Sequence, residues 1–182
     1  ADVGQGLAFK VVMSPSGAAF VVWQRHTVAA STIFVNRFDP SGGWTGTQRL
    51  GEGRAPVLAV DAVGNGVVAW CESSEQSSPI RLRRFAAGSG WGTAFAATPA
   101  RDDAPSFEVA TTTAATLLAW TNAAGLWTAT MSPNGGWDSP ERITAAAPNL
   151  HQYSPQVVMD GAGNAAAVWH EIQWSFPFGY YH

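Results

Sequence analysis

Apolar residues in this chain fall in short runs that come in pairs, with a polar turn between the two runs of a pair. Residues 57–60 (VLAV) and 67–70 (VVAW) flank the turn 61–66 (DAVGNG). Continuous runs of this kind are typical of strands that are covered on both faces. In the next run, 80–83 (IRLR), apolar and charged positions alternate, as expected for a strand with one face in water. The pattern predicts a buried β-hairpin followed by a half-exposed strand, and no segment has a convincing helical period.

This hairpin recurs along the chain. Segment 55–70 returns at 154–169 with the same length, and 8–23 and 104–120 are looser copies. A pattern that recurs at a fixed spacing indicates a repeat fold, in which each unit buries its apolar face against the next unit. The whole segment 1–182 is predicted to consist of repeats of about 47 residues. Their predicted bounds are about 8–54, 55–103, 104–153 and, for a partial fourth repeat, 154–182.

Each full repeat is predicted to contain four antiparallel strands. The hairpin supplies the first two strands, the half-exposed run is the third, and a glycine-rich turn leads to the fourth. Buried inner strands and half-wet outer strands at a constant period are typical of the blades of a β-propeller. We therefore predict an all-β fold of propeller-type blades, with three full repeats and a partial fourth. A β-sandwich is the main alternative, but it does not require near-identical hairpins at a fixed period.

Most of the nine tryptophans occupy one of two repeat positions, the end of the second strand or the start of the fourth. We expect these large rings to fill the gaps between blades. Two others lie outside both positions and are better candidates for rings that face a ligand. The repeat positions hold Trp23, Trp70, Trp120 and Trp169 in the second strand and Trp44, Trp91 and Trp137 in the fourth, whereas Trp127 and Trp174 lie outside them.

Composition narrows the functional classes. The formal net charge is -3 and only 13% of residues are charged, so there is no basic surface of the kind that binds nucleic acid. No apolar run approaches the roughly 18 residues of a membrane-inserted helix. Cys71 is the single cysteine, which excludes an intrachain disulfide, and we expect it to be a small buried residue. The four histidines are scattered, and no metal site or cofactor motif is indicated.

The repeat also has a recognisable motif, P-x-V-x-x-D-x-x-G-N-x-x-x-x-W followed by I-x-x-x-R-F and G-G-W. It resembles a repeat of secreted bacterial proteins that are predicted to form β-propellers and are loosely grouped with sialidase-like propellers. The resemblance implies a propeller fold and a location outside the bacterial cell or on its surface. Its residues are Pro56, Asp61, Gly64, Asn65 and Trp70, with Leu58 at the valine position, then Pro155, Val157, Asp160, Gly163, Asn164 and Trp169, and then Ile33, Arg37, Phe38, Gly42, Gly43 and Trp44.

Sialidases carry a short motif, the Asp-box, at the turn between the third and fourth strands of a blade. Segments 39–44 (DPSGGW) and 132–137 (SPNGGW) occupy the corresponding place in this chain. Both are shorter than the box, and its aspartate is displaced or replaced. We interpret these segments as related turns and not as evidence of hydrolysis.

Candidate functional residues follow from the order of strands. In a propeller, the loop after the second strand and the loop before the first strand emerge on one face around the axis, and we call this the loop face. Loops are where polar residues collect in any case, so a ligand site there is one of two interpretations. The candidate ligand-binding residues are Arg25, His26, Glu72, Arg101, Asp102, His151, Tyr153, His170, Glu171 and Trp174.

We predict that the protein is an extracellular binding or assembly module that recognises a glycan or a cell-surface partner through this face. A sialidase-like glycoside hydrolase is the first alternative. Glycosidases use two carboxyls about 5 Å or about 6.5–9.5 Å apart, and no spacing in the sequence fixes such a pair. No other catalytic motif is present, so no catalytic residue is assigned. The second alternative is a purely structural repeat protein that forms an oligomer.

The partial fourth repeat leads to an expectation about assembly. An open stack of blades exposes the apolar inner strands of both end blades to water, and large apolar patches are rare on soluble monomers. We therefore expect either self-association or membership of a longer chain.

Overall fold

The computed structural model describes residues 6–72, 78–98, 106–145 and 150–173. Within these ranges the chain forms β-strands and turns without a helix, and neighbouring strands are antiparallel. The predicted all-β class is therefore confirmed. No described segment forms a helix long and apolar enough to span a membrane.

The strands form four separate sheets, which we call blades 1 to 4 in chain order. Blade 1 contains β1 (Gly6–Met13), β2 (Ala19–His26), β3 (Ser31–Asp39), β4 (Gly43–Trp44) and β5 (Gln48–Glu52). The first three strands are neighbours in chain order. Both β4 and β5 pair with β3, so the two short strands together take the place of a single fourth strand.

Blade 2 repeats this arrangement, and the later blades have fewer strands. Blade 2 contains β6 (Arg54–Val60), β7 (Gly66–Cys71), β8 (Ile80–Ala86), β9 (Gly90–Trp91) and β10 (Phe95–Ala96). Blade 3 contains β11 (Ser106–Thr111), β12 (Thr116–Asn122), β13 (Gly125–Met131) and β14 (Glu141–Arg142). Blade 4 is a hairpin of β15 (Leu150–Met159) and β16 (Ala165–Gln173).

Two backbone details show that the sequence repeat is also a structural repeat. Ala55 and Ser154 have positive φ angles of 53° and 50°, and they occupy equivalent positions in β6 and β15. The strand register shifts at both places. The turns agree as well, because the Asp61 carboxylate accepts the main-chain N–H of Val63 at 3.0 Å, and Asp160 accepts that of Ala162 at 2.9 Å. The aspartate carboxylate therefore closes the turn in the same way in both repeats.

The core lies between blades. Phe20 and Val22 of blade 1 pack on Leu58, Val68 and Trp70 of blade 2, and all five are buried. A second cluster fills the junction of blades 2 and 3, and a third fills the junction of blades 3 and 4. The first strands of consecutive blades contact one another, so the sheets are stacked face against face with their first strands on the same side of the stack.

A cluster of polar side chains connects the first strands of blades 1, 3 and 4. The ammonium group of Lys10 in β1 pairs with the carboxylate of Glu108 in β11. The amide of Gln156 in β15 donates to the same carboxylate oxygen at 3.3 Å. These residues occupy the same position in their repeats, four residues before the hairpin turn. Blade 1 therefore contacts blade 3 directly, and the stack curves around this cluster.

Tryptophan burial departs from the prediction in two places. Trp23, Trp70 and Trp120 are buried, but Trp169 is only half-buried. Gly51 and Gly53 of blade 1 lie against the ring of Trp70, whereas β14, the last strand of blade 3, has two residues and offers less cover for Trp169. The second departure is Trp44, which is exposed because no blade precedes blade 1 in the described chain.

Candidate functional site

A cavity of about 320 Å³ lies at the loop-face end of the junction between blades 1 and 2. Its walls come from the β2–β3 turn, the β5–β6 connection and the residue after β7. The lining residues are His26, Thr27, Val28, Ala29, Ala30, Ser31, Glu52, Gly53, Arg54 and Glu72.

The first wall is a tight turn that the sequence holds closed. The N–H of Thr27 donates to the carbonyl of Ala30 at 2.9 Å, and the Thr27 hydroxyl accepts the N–H of Ala30 at 3.2 Å. At the base of the turn, His26 and Ser31 are paired across the strands, with 2.7 Å between the His26 Nδ1 and the Ser31 Oγ. Strand pairing extends to His26 and resumes at Ser31, so the loop between these strands spans only 27–30.

The second wall depends on a glycine. Gly53 has a φ angle of 146°, and a Cβ there would lie 2.2 Å from the carbonyl oxygen of Cys71 and 2.3 Å from a ring carbon of Trp70. Its N–H donates to the carbonyl of Ser31 at 2.9 Å, which joins the two walls. The position requires glycine for its backbone conformation and for the close approach of blade 2.

Two carboxylates line the cavity, and an arginine holds each of them. Arg49 donates to Glu52 at 3.0 Å, and Arg81 donates to Glu72 at 2.7 Å. The two glutamate side chains are 66% and 43% exposed, and exposed ion pairs contribute little to stability. The main effect of these pairs is therefore to orient the carboxylates. Each carboxylate has about four acceptor positions, so it can accept hydrogen bonds from a ligand as well as from its arginine.

The lining combines donors and acceptors in a small volume. His26 and Arg54 carry N–H groups, Thr27 and Ser31 carry hydroxyls, and the glutamates accept hydrogen bonds. Among the described lining residues there is no Phe, Tyr or Trp side chain on which a sugar ring could stack. The arrangement suits a small ligand with several hydroxyl groups, held by hydrogen bonds and not by stacking.

Arg25 was predicted to act together with His26, but the structure separates the two side chains. Successive residues of a strand point to opposite faces of the sheet. The Arg25 guanidinium lies 4.6 Å from the centre of the Phe34 ring, and Phe34 stacks on Trp23 with a centroid separation of 5.9 Å. Arg25 therefore belongs to the face of blade 1 that points away from the cavity.

The predicted residues of the last hairpin fall on its two faces. His151 stacks on Tyr153 at 6.2 Å, and Tyr153 pairs with His170 across the strands, so these three share the face that points away from blade 3. Glu171 lies on the opposite face, where its carboxylate accepts hydrogen bonds from Gln152 at 2.7 Å and from Trp169 at 2.9 Å.

Of the predicted residues that the structure describes, only His26 and Glu72 meet in the cavity. Arg101, Asp102 and Trp174 lie outside the described residues. Thr27, Ser31 and Gly53 were not among the residues predicted from the sequence. The sequence signal for the first wall was local. Thr27 and Ala30 are three residues apart, a spacing at which a threonine hydroxyl can close a turn.

Three further observations concern metal binding, Cys71 and Trp127. No three residues of the types His, Cys, Asp and Glu come together in the described ranges in a way that could hold a metal ion. Cys71 is buried, as predicted, and burial raises the pKa of its thiol. The indole N–H of Trp127 donates to Asn122 at 3.0 Å, and the ring is half-buried rather than freely exposed.

Comparison with known proteins gives the class of fold. No family model matches the sequence, and no curated protein matches it. A solved structure that matches is an α-L-arabinofuranosidase from Podospora anserina in complex with cellotriose, with 13% identity and a TM-score of 0.51. The match covers 94% of this chain and 66% of that chain, so this chain spans slightly less than two thirds of the enzyme. At this identity the likeness shows the fold alone, an all-β propeller-like arrangement of antiparallel sheets.

Proposed function

We propose that this protein binds carbohydrate in the cavity between blades 1 and 2. The observation that carries the proposal is the convergence of His26, Arg54, Glu52 and Glu72 on one cavity of about 320 Å³. A sugar offers hydroxyls that both donate and accept, and this set supplies partners for both roles. Hydrogen bonds to charged groups are roughly twice as strong as neutral ones, so a few such contacts give orientation and affinity.

The fold supports the choice of ligand class. The arabinofuranosidase that resembles this chain was solved with cellotriose bound, so a comparable arrangement of sheets holds an oligosaccharide in that protein. The resemblance of the repeat motif to secreted bacterial propellers favours extracellular or cell-surface glycans as ligands. A glycan carried by another cell or by a protein offers the same hydroxyl groups and is therefore also a suitable ligand.

A glycan-array screen followed by titration calorimetry tests the proposal. We expect at least one saccharide to bind, and we expect Glu72→Gln to weaken binding about tenfold, because a neutral amide accepts less strongly than a carboxylate. Glu141→Gln is the matched control, since Glu141 is an exposed carboxylate on blade 3. Equal binding by wild type and Glu72→Gln, or no binding across the array, overturns the proposal.

Hydrolysis of an arabinofuranoside is the second candidate. The specific observation in its favour is that two carboxylates, Glu52 and Glu72, line the same cavity. Paired carboxyls at about 5 Å or about 6.5–9.5 Å are the usual requirement of glycosidases. Release of p-nitrophenol from an aryl α-L-arabinofuranoside, lost in Glu52→Gln and in Glu72→Gln but not in Glu141→Gln, supports this candidate. Saccharide binding without turnover contradicts it and leaves the binding proposal in place.

A further inference from the structure

Within the described residues, the two ends of the stack present apolar faces to solvent. We call the outward face of blade 1 the leading face, and its exposed residues are Phe9, Val11, Met13 and Trp44, which are 72%, 61%, 69% and 55% exposed. We call the outward face of the last hairpin the trailing face, and it carries Val158, Val168 and Ile172, with 66%, 67% and 44% exposure, beside His151, Tyr153 and His170. Such patches on a soluble protein mark interaction sites.

The side chains of the leading face are equivalent to side chains that are buried at the junction of blades 1 and 2. The hairpin turns begin at Ser14 and Asp61, each of which donates its N–H to the carbonyl four residues further on. Counting back from these turns, Val11 is equivalent to Leu58, which is buried against blade 1. The leading face of blade 1 is therefore the counterpart of the face with which blade 2 covers blade 1.

Aromatic residues extend this equivalence. Phe85 and Trp91 of blade 2 contact Phe20 of blade 1, with centroid separations of 5.2 and 6.1 Å. In blade 1, Phe38 and Trp44 form the same edge-to-face pair at 5.6 Å, compared with 5.4 Å for Phe85 and Trp91. In the described part of the chain, no phenyl ring of a preceding blade contacts the pair in blade 1.

The trailing face supplies the other half of the same junction. Val158 lies two residues before the turn that begins at Asp160, as Val12 lies two residues before Ser14. Val168 pairs with Gln156 and Val22 pairs with Lys10, so these valines are equivalent too. In blade 1, Val12 and Val22 pack against blade 2. The trailing face thus repeats the surface on which the next blade rests.

We infer that copies of this chain associate head to tail, with the trailing face of one copy against the leading face of the next. The contact reproduces the junction of blades 1 and 2, which supplies the argument for a second copy as the occupant. It is a heterologous contact, so repetition gives a closed ring or an open chain. The carbohydrate cavity lies on the other face of blade 1, and the inference does not depend on it.

Light scattering coupled to size-exclusion chromatography tests the inference. Wild type is expected to show a mass above the monomer that rises with concentration. A leading variant, Val11→Asp with Met13→Asp, and a trailing variant, Val158→Asp with Val168→Asp, are each expected to be monomeric. Val63→Asp is the matched control, because Val63 is exposed in a hairpin turn away from both faces, and it is expected to associate like wild type.

Mixing the two variants gives the decisive readout. The leading variant keeps an intact trailing face and the trailing variant keeps an intact leading face, so an equimolar mixture forms a one-to-one complex with twice the monomer mass. Wild type that remains monomeric at every concentration overturns the inference, and an additional blade or another protein is then the occupant. Association that survives in either variant, or a mixture that stays monomeric, overturns it too. Where circular dichroism shows that aspartate unfolds a variant, Met13→Thr and Val168→Thr replace it, since threonine suits strands.

Discussion

The indole N–H of Trp70 donates a hydrogen bond to the main-chain carbonyl of Glu52 at 2.9 Å. This contact joins the second strand of blade 2 to the last strand of blade 1. The side chain of Glu52 lines the cavity, so the residue that fastens two blades together also contributes to the candidate site. The geometry of the cavity therefore depends on the packing of the junction below it.

Gly53→Ala is expected to destabilise the protein by about 2–4 kcal/mol, because the added Cβ meets the Cys71 carbonyl and the Trp70 ring in a backbone conformation that alanine rarely adopts. Urea unfolding measures the change. Gly42→Ala is the control, since nothing lies within 4 Å of a Cβ there, and it should cost little. Equal stability of the two variants would show that the junction opens to accept the side chain.

Acid is expected to weaken the fold through two turn aspartates. Hydrogen bonds from the side chain and main chain of Asn164 lower the pKa of Asp160 from its ordinary value of 3.8, and those from Ser41 and Arg37 lower the pKa of Asp39. The folded state thus binds protons less readily than the unfolded state. The stabilisation is complete above the ordinary pKa and is lost as the pH falls below about 4 through the lowered values.

Urea unfolding at neutral pH and at several pH values below about 4 gives the midpoint of unfolding at each pH. Replacing both aspartates by asparagine should flatten the decline at low pH, whereas Glu141→Gln should leave it unchanged. A decline of the same steepness in the double variant would assign the acid sensitivity to other groups.

The sequence was sufficient to predict the hairpins and the order of strands, because both rest on local signals. Continuous apolar runs predict covered strands, and an aspartate followed by glycine and asparagine closes the turn within a few residues. The apolar runs recur in each repeat and the turn recurs in the second and fourth, where the positive φ angles of Ala55 and Ser154 show how closely the backbones repeat. The propeller-like architecture therefore followed from the pattern alone.

The residues that line the cavity could not be predicted from local signals of this kind. Arg25 and His26 were both predicted to bind ligand on the loop face, but strand pairing continues to His26, and neighbouring residues of a strand point to opposite faces. The pairing of His26 with Ser31 is a cross-strand interaction, and the polar sequence of 24–32 does not predict it. The cavity itself depends on how blade 2 meets blade 1, and Gly53 reveals its role only when Trp70 is placed against it.

The cluster of Lys10 and Glu108 is expected to couple blades 1 and 3. The Glu108 side chain is 8% exposed, so removal of the lysine charge in Lys10→Met leaves a buried carboxylate without its cation. Because the Lys10 side chain is 38% exposed, we expect a cost of about 1–3 kcal/mol, below the range for fully buried pairs. A double-mutant cycle with Glu108→Met measures the coupling. The double variant should be more stable than the sum of the single changes indicates, and simple additivity would mean that the two groups do not interact.

Trp91 and Trp44 occupy the same position in successive repeats, and their substitutions should differ in cost. Trp91 contacts Phe20 of the preceding blade, with 6.1 Å between ring centroids, while Trp44 is 55% exposed on the leading face. Trp91→Ala removes ring contacts from the junction core and should destabilise the half-buried site by about 2–3 kcal/mol. Trp44→Ala should cost about 1 kcal/mol or less when the protein is dilute enough to be monomeric. Urea unfolding of both variants in dilute solution provides the comparison, and a cost for Trp44→Ala equal to that for Trp91→Ala would show that the leading face is covered within the monomer.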